Sequence, residues 1–413
     1  MTTDGHHWIG HHRDSHEYRR ILIGLGAAGV ATFAQLHSPQ ALLTVLSADL
    51  EAAPSDVALT VSLAMLGVAL AVVPWSWAAD RFGRLAAMRV AIAASAVLGV
   101  LTAFSPGLEF LLATRFLEGL ALGGLPALAV TYLHDEIDAR FTASAAAVYI
   151  AGTSIGGMSG RLVAGFVAGF WGWRPGLAVV ALLCVGAAAA FFALMPPARG
   201  HTARPASLTD VTRGVISCLR DPGLLALYLT AFMLFGGFVA VYNYLAFRLE
   251  GPGYHLPTTV VSWLFVSYLA GTMSAAWVGR LVPRFGRYRS LVGSTLVMAA
   301  GLAIMLADPV PVIITGLLIF TAGFFGAHAV ASAWAGHRAP AQARAQATAL
   351  YNVFYYSGSA VLGWAVGFSW MAFGWIGVVV PVAIGCSVAL LAAAATAASR
   401  RASDLRRDPP GPT

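Results

Sequence analysis

Lysine is absent from these 413 residues, and only 10% of the chain is charged, where an ordinary soluble domain carries about a quarter. A surface that water can hydrate cannot be assembled from so few charges when 58% of the residues are hydrophobic and the mean hydropathy is +0.75. Cysteine is nearly as scarce. Cys184, Cys218 and Cys386 have no metal-like spacing, so neither a disulfide framework nor a cysteine metal site is implied. The chain has no serine-nucleophile motif, no glycine-rich phosphate loop after a strand and no His/Asp cluster within an apolar run. Those gaps argue against an enzyme, and no cofactor is expected.

What the chain does have is apolar runs near the ~20 residues that carry a helix across ~30 Å of hydrocarbon. Backbone polar groups in lipid must satisfy one another, so the runs predict an all-α membrane protein. Twelve transmembrane helices are expected, over 20–45, 58–79, 87–104, 108–131, 142–168, 175–195, 223–247, 259–281, 289–307, 310–333, 345–369 and 373–397. All but four of the 25 arginines fall in loops of one parity, from Arg13, Arg19 and Arg20 to Arg406 and Arg407. Arg174 and Arg248 fall in loops of the other parity, and Arg115 and Arg161 lie within spans. This is the positive-inside pattern: it predicts that both termini are cytoplasmic and explains the net charge of +7 without a nucleic-acid partner. No cleavage pattern precedes the first span, which is expected to be a retained helix.

The chain also repeats itself. Asp80-Arg81-Phe82-Gly83-Arg84 recurs 203 positions later as Pro283-Arg284-Phe285-Gly286-Arg287, each after an even-numbered span. An offset of 202 pairs Tyr149 with Tyr351, Gly156 with Gly358, Gly165 with Gly367, Gly172 with Gly374 and Trp173 with Trp375. Two parallel six-helix bundles are therefore expected, at 20–195 and 223–397, joined by a cytoplasmic linker at 196–222 and flanked by cytoplasmic tails at 1–19 and 398–413.

The segment from Ser76 to Arg84 resembles the signature loop of the major facilitator superfamily, Gly-x-x-x-Asp-Arg-x-Gly-Arg, with Ser76 where glycine is usual and Pro283 replacing the acid in the second copy. Arg115, Gly119 and Gly123 in the fourth span match the family's Arg-x-x-x-Gly-x-x-x-Gly helix. The resemblance runs from Ala31 to Trp375 and implies an inner-membrane secondary transporter with a small-molecule substrate, expected to act as a monomer in the lipid bilayer. It also implies that Asp80, Arg81, Gly83 and Arg84, with Gly286 and Arg287 in the second copy, form a cytoplasmic latch. Asp135 and Glu136, at the end of the fourth span, are candidate partners of Arg81, Arg84 or Arg140; a solvated helix end is the other reading.

Arg115 and Glu118 are three residues apart and share a helix face. Glu118 is the acid placed deepest in a span, and an intramembrane charge is a functional-site candidate because it is costly to bury. Its proton affinity depends on whether water reaches it, as a proton-coupled carrier requires; a static Arg–Glu pair is the alternative. The fifth span carries Gly152, Gly156, Gly157, Gly160 and Gly165, spacing that lets helices approach closely. It resembles the glycine-rich fifth helix of drug:proton antiporters, with Met158 where proline is usual. Arg161 has no acid within one turn and so needs a carbonyl, water, Glu118 or an anionic substrate.

In the family the first, fourth, seventh and tenth helices line the cavity. That implies a substrate-cavity role for Gln35, His37, Gln40, Tyr242, Asn243 and His328, with Tyr351, Asn352 and Tyr355 of the eleventh span as further candidates. His6, His7, His11, His12 and His16 in the tail could chelate a metal if helical, but a solvated tail is the ordinary reading and no metal is expected. Proton-coupled efflux leads as the expected function, with proton-coupled uptake and a non-transporting membrane sensor as the other readings.

Overall fold

A computed structural model describes residues 8–200 and 208–407. Among the described residues the secondary structure is helical, with a single isolated bridge pairing His11 with Ile137. Nine helices among the described residues are long and apolar enough to span a membrane. One of these, Thr258–Ile304, is two spans run together through Gly286. Two more long helices, Ala139–Trp171 and Arg344–Phe373, fall short in hydropathy because they are rich in glycine, serine and tyrosine. Together these make the twelve spans of an all-α membrane protein.

In order, the first span is His16–His37, the second Pro54–Phe82, the third Arg84–Ala103 and the fourth Leu108–Leu122 with Gly124–Glu136. The fifth is Ala139–Trp171, the sixth Trp173–Leu194 and the seventh Pro222–Glu250. The eighth and ninth lie either side of Gly286 within Thr258–Ile304. Val310–Arg338, Arg344–Phe373 and Ile376–Arg407 complete the set. The first span does not run to residue 45 as expected. Pro39, which offers no N–H and restricts the residue before it, turns the chain into a 3₁₀ segment, Ser38–Ala41, before a short helix, Leu43–Asp49.

The chain divides into two compact units, Met1–Leu46 with Leu66–Pro205, and Ser47–Met65 with Ala206–Thr413. In the first, Ile21, Leu25, Met88, Leu128, Tyr132 and Phe191 belong to one buried cluster. In the second, a linker helix, Leu208–Arg220, packs on the start of the eleventh span, where a Cβ at Gly214 would lie 3.2 Å from the Gln346 side chain. The sequence repeat reappears in the backbone. Gly83 and Gly286 turn in the left-handed region, with φ +91° and +80°, and so do Gly172 and Gly374, with φ +85° and +57°.

The first and fifth spans approach to backbone contact. Gly152, Gly156 and Gly160 face Gly26, Val30 and Ala34, so that a Cβ at Gly152 would lie 2.8 Å from the Gly26 carbonyl oxygen and a Cβ at Gly156 or Gly160 would overlap backbone. Four-residue spacing on both helices brings each glycine opposite the next turn of its neighbour. Gly165 is buried further along the fifth span. Gly157 departs from the expected packing role: its Cβ position is 3.5 Å from both the Arg161 guanidinium and the His37 ring, so it leaves room beside side chains. In the fourth span Gly119 packs on the second span at Gly67, and a Cβ at Gly123 would lie 2.8 Å from that of Ala71. Gly156→Leu is expected to lower stability by about 1–3 kcal/mol through overpacking. Gly186→Leu, at a position with no atom within 4 Å of the added Cβ, should leave the melting temperature in detergent unchanged. Equal melting temperatures for the two variants would remove the ladder's structural role.

Candidate functional site

Within the first unit, three spans close around one buried ion pair. Arg115 and Glu118, one turn apart on the fourth span and each 1% exposed, pair directly through the guanidinium and Glu118 Oε2. Arg115 Nη2 also donates to the Leu36 carbonyl at 2.7 Å and Nη1 to the Gln35 carbonyl at 3.3 Å, where the first helix loosens toward Pro39. The Gln35 amide donates to Glu118 Oε1 and, at 2.6 Å, to the Ser95 carbonyl of the third span. Thr102 adds its hydroxyl to Glu118 Oε2 at 3.4 Å. Gly99 makes space for this, since a Cβ there would overlap the Gln35 amide. The carboxylate therefore accepts from three side chains and the guanidinium is shared between Glu118 and two carbonyls. Gln35 was expected to line a cavity; it is buried and serves the ion pair. Ser95, Gly99 and Thr102 were missed, although their spacing on one face of the third span was a legible signal.

Arg161 of the fifth span is the second buried cation, 1% exposed. Its Nε donates to Gln40 Oε1 at 2.7 Å and its Nη1 to the Gly157 carbonyl at 2.5 Å, so the partners shown are neutral. His37 is buried beside it, with Nδ1 lacking a hydrogen-bond partner among the described residues. Gln35 and Gln40, five residues apart, thus serve one cation site each.

The signature loop closes through one of the expected pairings. Arg84 pairs with Asp135 at the end of the fourth span. Asp80 is half-buried and forms no ion pair among the described residues. The left-handed turn at Gly83 makes Arg84 the first residue of the third span, and from there it reaches Asp135. Ser76 bonds to its own helix at the Val72 carbonyl. Arg140 pairs with Asp138, at 2.7 Å, and not with Asp135 or Glu136. Asp138 caps the fifth span and is held down to about 2 by its hydrogen bonds from the Arg140 side chain and backbone. Arg81 stacks over Phe82, 5.7 Å from its centroid. The second copy keeps the turn at Gly286, while Arg287 forms no ion pair among the described residues.

Glu136 forms no ion pair with an arginine among the described residues. It is fully buried, and Oε1 accepts the backbone N–H groups of Arg199 and Gly200, each at 2.8 Å, from the first residues of the linker. The N-terminal segment docks at the same place. His11 N–H donates to the Glu136 carbonyl at 2.7 Å, Asp138 N–H to the His11 carbonyl at 3.2 Å, and the Trp8 indole to the Asp135 carbonyl at 3.0 Å. This part of the tail is therefore packed and not solvated as a whole. His6 and His7 lie outside the described residues, and no group of three possible metal ligands occurs among the described ones.

In the second unit, Tyr242, Asn243 and Tyr351 are internal. Tyr242 bonds Ser267 and Thr321 at 2.5 and 2.8 Å, Asn243 donates to the Gly363 carbonyl at 3.2 Å, and the Tyr351 hydroxyl lies 3.1 Å from His328 Nδ1. His328, Asn352 and Tyr355 are half-buried. The Tyr355 ring stacks on Phe235 with centroids 3.6 Å apart and lies 4.6 Å from the His328 ring.

Burial pushes the His11 imidazole below its ordinary range; Glu136 and Glu17 oppose that and Arg199 adds to it. A base whose docked form resists protonation is fully docked above its free value of about 6.5 and is released as pH falls below it. A nitroxide at Ile9→Cys, an exposed position, should gain mobility between about pH 7.5 and pH 5.5. His11→Gln should flatten that response, and a wild-type spectrum unchanged across the range would sink the assignment.

The comparisons agree with this architecture. The chain is 38% identical to the inner membrane transport protein YnfM of Escherichia coli K12 over 384 residues, 92% of this chain and 91% of that one. It is 35% identical to YybF of Bacillus subtilis 168, named an uncharacterized MFS-type transporter, over 95% of this chain and 96% of that one. A solved structure of a bacterial homolog to the human lysosomal transporter Spinster superposes with a TM-score of 0.78 at 13% identity, covering 94% of this chain and 98% of that one. The family model described as Major Facilitator Superfamily matches residues 23–363, and the chain belongs to that superfamily as a non-enzymatic, multi-pass membrane transporter.

Proposed function

We propose that the protein exports a small organic molecule across a bacterial inner membrane in exchange for protons, by alternating access, with both termini cytoplasmic. The observation that carries the reading is the buried Gln35–Arg115–Glu118 network. As an anion, Glu118 ties the first, third and fourth spans together through Gln35, Arg115 and Thr102. A proton taken from an opened cavity cancels the charge that attracts Arg115, which keeps its two carbonyl acceptors on the first span. The network therefore has two satisfied arrangements, and the proton selects between them.

Glu136 and Asp138 are buried at the ends of the fourth and fifth spans, but within those spans Arg115 and Arg161 stand against Glu118 alone, which favours a neutral, zwitterionic or anionic substrate over a lipophilic cation. The glycine-rich fifth span, with its likeness to drug:proton antiporters, favours export; uptake with protons uses the same residues with the flux reversed. The half-buried His328, Asn352 and Tyr355 in the second unit are the proposed contacts for substrate. The Arg84–Asp135 pair is the proposed cytoplasmic latch.

Proteoliposomes carrying an internal pH dye, screened with drugs, sugars and organic acids, would identify a substrate by its proton flux. Glu118→Gln should then reduce gradient-driven flux at least about tenfold, the scale of losing a coupled protonation site, while substrate counterflow persists. Gradient-driven flux at wild-type level would reject proton coupling at this residue. For the latch, Arg84→Gln and Asp135→Asn should each slow turnover, and the double variant should be no slower than either single one, because the three variants remove one shared interaction. Additive losses would mean the two side chains act separately.

A further inference from the structure

The internal repeat allows the two units to be compared position by position, and one place differs in shape. In the first unit Trp75 lies against the fourth span: its indole ring is 2.9 Å from where a Cβ would sit at Gly124, beside Ala91 of the third span, and its Nε1 donates to the Leu120 carbonyl at 2.7 Å. The corresponding residues of the second unit, 203 or 202 positions on, are Val278, Gly326, Ser294 and the Ala322 carbonyl. There the equivalent carbonyl accepts a 2.7 Å hydrogen bond from Ser274, and valine stands where the indole stood. Ala71, Ala87 and Ala91 become Ser274, Ser290 and Ser294. A groove of about 380 Å³, lined by Val278, lies between the eighth and ninth spans, with the tenth span as its floor. That volume is within the ~300–1,000 Å³ of ligand sites.

The groove has an apolar length and a cationic end. Leu281, Phe285 and Val297 on its wall are exposed, and Arg289 lies at the end next to the Gly286 turn. Arg280, Arg284, Arg287 and Arg289 crowd into ten residues, while no acid occurs from Gly251 through Ala307. Arg289 forms no ion pair among the described residues. In the first copy Asp80 lies beside the arginines; in the second, Pro283 stands in its place and the loop carries no acid.

We infer that this groove binds an anionic phospholipid, with one acyl chain along Val278, Leu281 and Val297 and the headgroup phosphate on Arg289. Apolar walls solvate the chain, the serines on the groove surface tolerate the glycerol ester region, and the uncompensated arginines select negative charge. The inference rests on the proposed cytoplasmic location of the Gly286 turn, which puts the site in the inner leaflet. It does not require proton coupling.

Native mass spectrometry of the purified full-length protein, titrated with dioleoyl phosphatidylglycerol or dioleoyl phosphatidylcholine, tests this without reference to transport. The wild type should retain one phosphatidylglycerol in preference to phosphatidylcholine. Arg289→Gln should weaken phosphatidylglycerol about fivefold, the effect of one cation at a membrane surface, and abolish the preference. Val278→Trp refills the groove as the other unit does and should remove the bound lipid, with Arg289 intact. Equal retention of the two lipids by the wild type, or unchanged phosphatidylglycerol affinity in Arg289→Gln, would overturn the site; the latter variant alters only an exposed side chain and keeps the test valid if Val278→Trp does not fold.

Discussion

A guanidinium inside hydrocarbon has no water to turn to, and much of the first unit is arranged around that constraint. Arg115 cannot be deprotonated and has five N–H groups to place. It finds carbonyls at Gln35 and Leu36 because the helix before Pro39 leaves them accessible, and it finds Glu118 one turn along its own helix. Glu118, so placed, must itself be satisfied, which draws in the Gln35 amide and the Thr102 hydroxyl. Gly99 is glycine because the amide occupies the volume of a side chain. One buried charge thus accounts for the residue types at several positions on three helices.

A buried acid at the end of the fourth span is satisfied by different partners. Glu136 is buried at the end of the fourth span, and two backbone N–H groups of the linker answer it. The N-terminal segment then pairs with the backbone on either side of Ile137. Tail, loop and linker are held by one carboxylate and a short stretch of extended chain. Close packing does the equivalent work within the bilayer, where apolar side chains gain nothing from leaving lipid: the first and fifth spans meet through glycine, which lets backbones touch.

Duplication supplied two copies of one backbone plan, and the copies have diverged in what they carry. The turns at Gly83 and Gly286 share a conformation, yet Asp80 has become Pro283 and Trp75 has become Val278. Charge pairing concentrates in the first unit. Aromatic stacking among Phe235, Phe324, His328 and Tyr355 concentrates in the second, together with an open basic groove.

Local pattern decided a great deal. Twelve spans, their duplication and the Arg115–Glu118 pair could all be read directly, because hydropathy and a three-residue spacing act over distances that the chain itself fixes. The ends of helices were less legible: hydropathy ends where polar residues begin, but the helix at His16 and the one ending at Glu250 continue through them. What only the tertiary structure decided are the meetings between helices. Gln35 reaching Glu118, Arg84 taking Asp135 while Asp80 forms no ion pair among the described residues, and Glu136 holding the linker all depend on how each helix is rotated and how far it slides along its neighbour. No residue spacing encodes those two quantities; they follow from packing every side chain at once.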